Sequence, residues 1–177
     1  MIDAKGFETR ETLKNGMTVT IRAVRPSDKD LLVEAFSNLE AETIYTRFFH
    51  HKTSLSQADL AMITELDFVR DVGLVVTAVG PEREVIIGAA RYAVLPAGHG
   101  SALSAEVAFL VEEDYQGQGI AGRLLGHLVG IARAQGIKSF EAEVLAGNTA
   151  MLTVFKRSGL DLQAKHEDGV IHVTMQL

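Results

Sequence analysis

The run Gln116-Gly117-Gln118-Gly119-Ile120-Ala121 has the residue types of a phosphate-binding turn. It comes shortly after Ser104–Val111, a mostly apolar stretch of strand length, and it opens a predicted helix that continues to about Gln135. The first N–H groups of a helix have no partner inside the helix, and the helix dipole is positive at that end. Because glycines carry no side chain, a bulky anion can approach these N–H groups closely. The run therefore predicts a site for a phosphate-bearing ligand.

Two phosphate-binding motifs fit this turn. Gly117-x-Gly119-x-x-Gly122 satisfies the dinucleotide fingerprint of Rossmann folds. In those folds the first glycine follows the strand directly, and further βα units come downstream. Here residues 112–116 separate strand from glycine, and about 55 residues follow the turn, which is too few for such a domain. The other pattern, Q/R-x-x-G-x-G/A, is matched by Gln116-x-x-Gly119-x-Ala121 and is the better fit.

Hydrophobic periodicity and turn residues divide the chain into helices and strands. Apolar residues at helical spacing predict five helices, at 28–38, 40–50, 56–66, 119–135 and 149–158. Asn15-Gly16 predicts a two-residue hairpin turn near the first of seven strands. Those strands are Met17–Val24, Asp71–Gly80, Glu84–Leu95, Ser104–Val111, Ile137–Leu145, Leu160–Lys165 and Val170–Leu177. This order predicts one α/β domain over residues 1–177, built on a mixed sheet.

The phosphate turn, the order of elements and a second motif together resemble the GNAT superfamily of acetyl-CoA-dependent N-acetyltransferases. The second motif runs from Asn148 to Leu160 and is similar to the family pattern N-x-x-A-x-x-x-Y-x-x-x-G-F, with Asn148 and Gly159 at the right spacing. The same two residues also fit an ordinary helix N-cap and C-terminal glycine. The resemblance implies the GNAT fold, a central mixed, mostly antiparallel sheet of about seven strands flanked by helices. Its fourth and fifth strands, here Ser104–Val111 and Ile137–Leu145, would splay apart.

The resemblance also implies where acetyl-CoA, the co-substrate, would bind. Its pantetheine arm would lie between the splayed strands and pair with exposed strand backbone, and its pyrophosphate would lie on the phosphate turn. The implied cofactor-binding residues are Phe109, Leu110 and Val111 on the strand, Gln116, Gly117, Gln118, Gly119, Ile120 and Ala121 in the turn, and Asn148 and Phe155 in the second motif.

Phe155 departs from the family pattern, because it occupies the position of a tyrosine that often protonates the leaving thiolate. Phenylalanine cannot donate a proton. A thiol has a pKa of about 8.5, so CoA thiolate is a tolerable leaving group near neutral pH, and transfer can proceed without that acid. The departure also fits a non-catalytic acyl-CoA-binding sensor or interaction module, which is the alternative function.

Deprotonation of the acceptor is the harder step, since a lysine-like amine has a pKa of about 10.4. Such a reaction needs a general base. Glu106 is the only carboxylate inside the apolar strand, and partial burial there would raise its pKa toward a useful value. The alternative for Glu106 is an ion pair with a cross-strand arginine such as Arg91.

Three further stretches resemble the Pat-like GNAT domains of bacterial protein-lysine acetyltransferases. They are Arg25-Pro26-Ser27-Asp28, Tyr45-Thr46-Arg47-Phe48-Phe49 and Ala105-Glu106-Val107-Ala108-Phe109. In that group a glutamate on the matching strand serves as the base. The resemblance implies direct transfer in a ternary complex to a primary amine, either a protein lysine, which is slightly favoured, or a small amine. Main-chain N–H near Val111 would polarise the thioester carbonyl.

Composition excludes several other classes of function. The chain contains no cysteine, so disulfides, thiolate metal sites and a cysteine acyl-enzyme are excluded. The net charge of −6 without a basic run argues against a nucleic-acid partner. The chain has no run of about 18 apolar residues, so no membrane span is predicted, and the polar start predicts a location in the cytoplasm. No metal is expected, because the adjacent His50 and His51 lack a partner at ligand spacing; His99 lies in a predicted loop.

Gly122, Gly126 and Gly130 recur every four residues along the main predicted helix. Each glycine lowers helix stability by about 1 kcal/mol relative to alanine in a helix interior, so three such glycines need a structural explanation. The stripe predicts close approach of another backbone, from the sheet, from a helix or from a second subunit in a homodimer.

Overall fold

One open sheet runs through the part of the chain that the computed structural model describes, residues 2–48, 52–98 and 102–177. Within those residues it contains eight strands: β1 (Glu8–Thr12), β2 (Thr18–Ala23), β3 (Asp71–Val79), β4 (Glu84–Val94), β5 (Ser104–Val111), β6 (Ser139–Leu145), β7 (Asp161–Glu167) and β8 (Val170–Gln176). Their order across the sheet is β1-β2-β3-β4-β5-β6-β8-β7. β5 and β6 run parallel, and the other neighbouring pairs are antiparallel.

Five helices flank the sheet in the same residues: α1 (Lys29–Ser37), α2 (Ala41–Phe48), α3 (Gln57–Thr64), α4 (Ile120–Ala134) and α5 (Thr149–Arg157). Side-chain caps fix two of their starts. Ser56 and Asp59 form a reciprocal capping box at the start of α3. Asn148 Oδ1 accepts a hydrogen bond from the N–H of Met151 at 3.2 Å and caps α5.

The helices cover opposite faces of the sheet. Gly88 on β4 faces α4, since a Cβ built on it would lie 3.2 Å from the side chain of Ile120. Gly73 on β3 lies on the other face, where a Cβ would meet the side chain of Leu66 just after α3. We call the face covered by α1, α2 and α3 the front, and the face covered by α4 and α5 the back.

β5 and β6 are paired by backbone hydrogen bonds at one end and diverge at the other. Their pairing runs from Ser104 opposite Ser139 to Glu106 opposite Glu141. Beyond Glu106, β5 stays paired with β4 on its other edge as far as Val111. The predicted splayed pair is therefore confirmed. The predicted fourth and fifth strands are numbered β5 and β6 here, because the structure has one more strand at its N-terminal end.

That extra strand, β1, is the main difference from the predicted order. It was missed because Glu8–Thr12 contains no apolar residue and lies at an exposed edge. The loop to β2 also has three residues, Lys14–Gly16, instead of the predicted two, since the N–H of Leu13 bonds the carbonyl of Met17 at 2.8 Å. Gly16 closes this loop with a φ of 87°, the left-handed conformation that such loops require.

Candidate active site

A cleft of about 1290 Å³ opens where β5 and β6 diverge. One wall is the end of β5, from Phe109 to Val111, and a second is the turn with one side of α4 as far as Arg133. The third wall is α5 with its cap, Asn148. The splayed strand, the phosphate turn and the second motif are separated in sequence, and the fold brings them together around this cleft.

The backbone of β5 presents alternate groups to the cleft. The N–H of Glu112 donates to the carbonyl of Ile87 on β4 at 3.0 Å. Because successive N–H groups of a strand point to opposite sides, the N–H groups of Val111 and Phe109 point toward the gap. The carbonyl of Val111 lies on the gap side as well, where it accepts a hydrogen bond from Gln116 Nε2 at 3.1 Å. The backbone groups of Leu110 point to β4 instead.

The phosphate turn has the conformation that its glycines predict. Gly117 and Gly119 have φ values of 78° and 86°, a region that other residues rarely adopt, and α4 begins directly afterwards at Ile120. A Cβ on Gly117 would meet nothing within 4 Å, whereas one on Gly119 would lie 2.5 Å from Arg123 Nη1. That Nη1 donates to the carbonyls of Gln118 and Gly119 at 3.3 and 3.2 Å, which fixes the turn.

The loop between β1 and β2 reaches the same turn and was not predicted to take part. Lys14 in this loop lines the cleft, and its Cε lies 3.6 Å from the position of a Cβ on Gly119. The N–H of Asn15 donates to Gln118 Oε1 at 3.0 Å, which ties the loop to the turn. Lys14 thus adds an exposed cation beside the N-terminus of α4, a favourable environment for phosphate groups.

Two predicted cofactor residues do not belong to the cleft lining. The side chain of Gln118 is engaged by the loop residue Asn15. Phe155 is 1% exposed and packs edge to face on Phe109, with ring centroids 5.9 Å apart, because it lies on the buried face of α5. The other predicted residues line the cleft: Phe109, Leu110, Val111, Gln116, Gly117, Gly119, Ile120, Ala121 and Asn148.

Glu106 lies on the front face, at the point where the two strands separate. Its side chain is exposed, so the expected partial burial is wrong. The reason is that α1, α2 and α3 cover the β2–β4 side of the front, whereas β6, β7 and β8 carry half-exposed or exposed residues on that face, such as His172 and Lys165.

The alternative ion pair between Glu106 and Arg91 is also not formed. Arg91 is opposite Ala108, and its Nη2 bonds Asp71 Oδ1 at 2.6 Å. The guanidinium of Arg47 on α2 interacts electrostatically with the carboxylate of Glu106. Burial lowers the pKa of Arg47, the positive charge of Arg91 lowers it further, and the carboxylate of Glu106 partly offsets this.

The glycine stripe on α4 does not contact another backbone. A Cβ on Gly122, Gly126 or Gly130 would meet nothing within 4 Å among the described residues. Gly122 and Gly126 line the cleft. The predicted close approach by a sheet or helix backbone is therefore wrong, and the first two glycines leave room along the cleft wall.

The remaining predicted features concern metals, membranes and three histidines. His50, His51 and His99 lie outside the described residues, as does Phe49. Across residues 2–48, 52–98 and 102–177, no three His, Asp or Glu side chains are arranged to hold a metal ion. In that same part of the chain, no helix has both the length and the apolar character needed to cross a membrane.

Comparison with known proteins decides the family. Residues 18–161, more than half of the chain, match the family model described as Acetyltransferase (GNAT) domain. The chain belongs to the GNAT acetyltransferase family. The Rossmann interpretation of the glycine turn is thereby excluded, and the predicted enzyme class, an acyltransferase, is confirmed.

Two curated relatives and one solved structure are similar to most of this chain. It is 34% identical over 149 residues to Acetyltransferase Pat of Mycolicibacterium smegmatis, an alignment that covers 83% of this chain and 42% of Pat. It is 30% identical over 166 residues to Acetyltransferase PA5475 of Pseudomonas aeruginosa, covering 92% of this chain and 86% of that protein. The crystal structure of the GNAT domain of S. lividans PAT is 36% identical, with a TM-score of 0.86 over 96% of this chain and 97% of that one.

The GNAT cofactor, acetyl-CoA, fits the residues of the cleft. Two gap-facing strand positions offer paired N–H and C=O groups of the kind that pantetheine amides need. An open Cβ position at Gly117 and the cation of Lys14 suit a pyrophosphate group at the helix start. The cleft volume of about 1290 Å³ exceeds the range of about 300–1,000 Å³ that holds most small ligands.

Proposed function

We propose that this GNAT domain transfers the acetyl group of acetyl-CoA to a primary amine within a ternary complex. The observation that carries the proposal is the divergence of β5 and β6 directly beyond Glu106. It leaves strand backbone and a helix N-terminus lining one cleft. Glu106 does not line that cleft; it is the last residue of β5 that pairs with β6 before the gap opens. Acetyl-CoA supplies the activated acetyl group, and the protein residues bind, orient and deprotonate.

In this proposal Glu106 is the general base. Its carboxylate is exposed on the front face, where an acceptor amine can reach it, and no Arg91 ion pair occupies it. A base is needed because an amine with a pKa of about 10.4 is almost fully protonated at pH 7. The proton moves from the acceptor nitrogen to Glu106, either directly or through one water molecule.

The N–H of Val111 is proposed to bind the thioester carbonyl oxygen. Its orientation toward the gap follows from the bond between the N–H of Glu112 and Ile87. A fixed main-chain donor stabilises negative charge on that oxygen better than water does, because it does not need to reorient. Phe155 contributes no proton, and its ring holds Phe109 in the cleft wall from behind.

A protein lysine is the slightly favoured acceptor, and a small amine is the alternative. The similarity to Acetyltransferase Pat and to the S. lividans PAT domain supports the same reaction class. Because the chain spans 42% of the length of Pat, the substrate and partners of that protein carry over only as a proposal. Glu40, Glu42 and Glu113 line the cleft and would favour a cationic acceptor of either kind.

A non-catalytic acyl-CoA-binding module is the competing proposal, and it rests on Phe155. Release of CoA thiol from acetyl-CoA separates the two, measured with desalted cell protein and with a panel of small primary amines. We expect acceptor-dependent thiol release, with cell protein as the better acceptor. Binding of acetyl-CoA without release above background for every acceptor would contradict the transferase and support the binding module.

A further inference from the structure

A second pocket, of about 480 Å³, lies on the front face between the sheet and α1, α2 and α3. We call it the front pocket. Apolar side chains make up most of its lining: Leu32, Phe36, Ile63, Ala89, Ala108 and Leu110. Ligand sites are typically mostly apolar pockets of about 300–1,000 Å³, so an apolar pocket of this size has room for a small ligand.

The front pocket adjoins the cofactor cleft at Leu110. Leu110 lines both spaces, with its backbone paired to β4 and its side chain on the front face opposite Ala89. A second point of contact lies between α1 and α2, where Leu39 lines the front pocket and the next residue, Glu40, lines the cleft. The two spaces therefore share a wall at Leu110, one residue before the proposed oxyanion donor, Val111.

Three of the five charged residues that line the front pocket, Lys52, Asp59 and Arg91, are held in ion pairs. Arg91 pairs with Asp71 at 2.6 Å, and Lys52 pairs with Asp59 at 3.1 Å. The guanidinium of Arg47 lies over the ring of Phe48, 4.9 Å from its centroid. Burial raises the pKa of Glu112 above its ordinary value. The other described lining residues are apolar or glycine, which suits a hydrocarbon chain.

We propose that the front pocket accepts the hydrocarbon tail of acyl-CoA thioesters longer than acetyl-CoA, in the range from propionyl to hexanoyl. The inference rests on the proposed function, because the tail enters with its thioester carbonyl at Val111. In the reaction the acceptor nitrogen bonds to the thioester carbon, the C–S bond breaks, CoA leaves as thiolate, and the amine proton passes to Glu106. Each methylene that leaves water strengthens binding by up to about fourfold, equivalent to about 0.8 kcal/mol.

The test measures equilibrium binding of acetyl-, propionyl-, butyryl- and hexanoyl-CoA, followed by thiol release with cell protein as acceptor. Wild type is expected to bind hexanoyl-CoA at least tenfold more tightly than acetyl-CoA. Ala89→Leu fills the front pocket from β4 and should abolish this gain while acetyl-CoA affinity stays within about twofold. Ala164→Leu, an exposed alanine on β7, is the matched control and should keep the wild-type profile.

Leu39→Ala provides an independent arm in case Ala89→Leu does not fold. It widens the junction between cleft and front pocket and should move the preferred chain length upward. Affinity that falls steadily from acetyl- to hexanoyl-CoA in wild type, or a chain-length profile unchanged in both variants, would overturn the inference. Those outcomes leave acetyl-CoA binding and turnover intact, whereas failure of the proposed function would remove them for every acyl-CoA.

Discussion

At the scale of single residues, Lys14 shows how the fold adds a functional group that the motifs do not contain. It stands about a hundred positions before the phosphate turn, yet the β1–β2 loop brings it to the cleft wall beside Gly119. Its neighbour Asn15 holds the loop in place through Gln118. The position of this cation depends on β1 and its loop, and that strand has no apolar pattern from which it could be predicted.

Replacing Lys14 should weaken binding of acetyl-CoA without disturbing the fold. We expect Lys14→Ala to raise the Kd by about fivefold to tenfold, because a charge-assisted contact to phosphate is lost. The loss should shrink as salt is raised, since an exposed contact is screened. Isothermal titration would measure both, with Lys165→Ala on the exposed β7 strand as the control. An unchanged Kd at low salt would place the phosphates elsewhere.

Glu106 shows that the pattern of a strand can predict a candidate site residue without predicting how exposed its side chain is. Its place as the carboxylate of an apolar strand was predictable from the sequence, and so was its position on the strand that carries Phe109–Val111. Its exposure was not, because exposure depends on which half of the front face the first three helices cover. That coverage is a tertiary property, and periodicity within Ser104–Val111 carries no information about it.

At the scale of elements, α4 combines a buried stripe with an open one. Leu124, Leu128 and Ile131 are almost fully buried against the sheet. On another side of the helix, Gly122 and Gly126 line the cleft and meet no described atoms within 4 Å of a built Cβ. The spacing of the stripe was visible in the sequence, but the ligand space beside it was not, since small residues fit backbone contact and open space equally well.

A large side chain on the cleft side of α4 should weaken acetyl-CoA binding without lowering the stability of the fold. Gly126→Leu improves the intrinsic helix propensity by about 0.8 kcal/mol but projects a large side chain into the cleft. We expect acetyl-CoA binding to fall by more than tenfold while the Tm stays equal or rises. Gly130→Leu is the matched control, because Gly130 also has open space and does not belong to the cleft lining. Equal binding by both variants would contradict the assigned cleft wall.

At the scale of the whole molecule, one buried ion pair ties the front helices to the sheet. Arg22 on β2 bonds Asp28 with two contacts of 2.8 Å and Glu84 on β4 with a third of 2.8 Å. Both Arg22 and Asp28 are 2% exposed. Hydrogen bonds from Arg22 and from the N–H of Arg25 outweigh burial and hold the pKa of Asp28 below its usual value.

Breaking this pair should destabilise the domain strongly. Asp28→Asn leaves the Arg22 guanidinium buried without its main counter-charge, which costs about 3–5 kcal/mol in the free energy of unfolding. Because the folded pKa of Asp28 is depressed, the stability it contributes is present above its ordinary pKa and is lost as pH falls through the lower folded value. Urea unfolding at pH 7 and at lower pH would measure both effects. The exposed pair Arg25–Glu8 offers a control, since Glu8→Gln should cost about 1 kcal/mol or less.

Most of the architecture was predictable because the helices and strands have regular periodicity and clear caps. The helices at Gln57–Thr64, Ile120–Ala134 and Thr149–Arg157 begin or end within about two residues of the predicted positions. The cleft lined by the two motifs was predictable as well, since each motif is local. The front pocket, Lys14 and the exposure of Glu106 depend on contacts between distant segments, and the motifs do not encode them.

The central claim is that Glu106 deprotonates the acceptor, and Glu106→Gln tests it most directly. The amide has nearly the same shape but is not a base, so kcat should fall by about 10²–10⁴-fold while the Kd for acetyl-CoA stays within about twofold. Glu143→Gln, an exposed carboxylate on β6, is the matched control and should keep wild-type turnover. Turnover of Glu106→Gln within about threefold of wild type, at equal acetyl-CoA binding, would contradict the account.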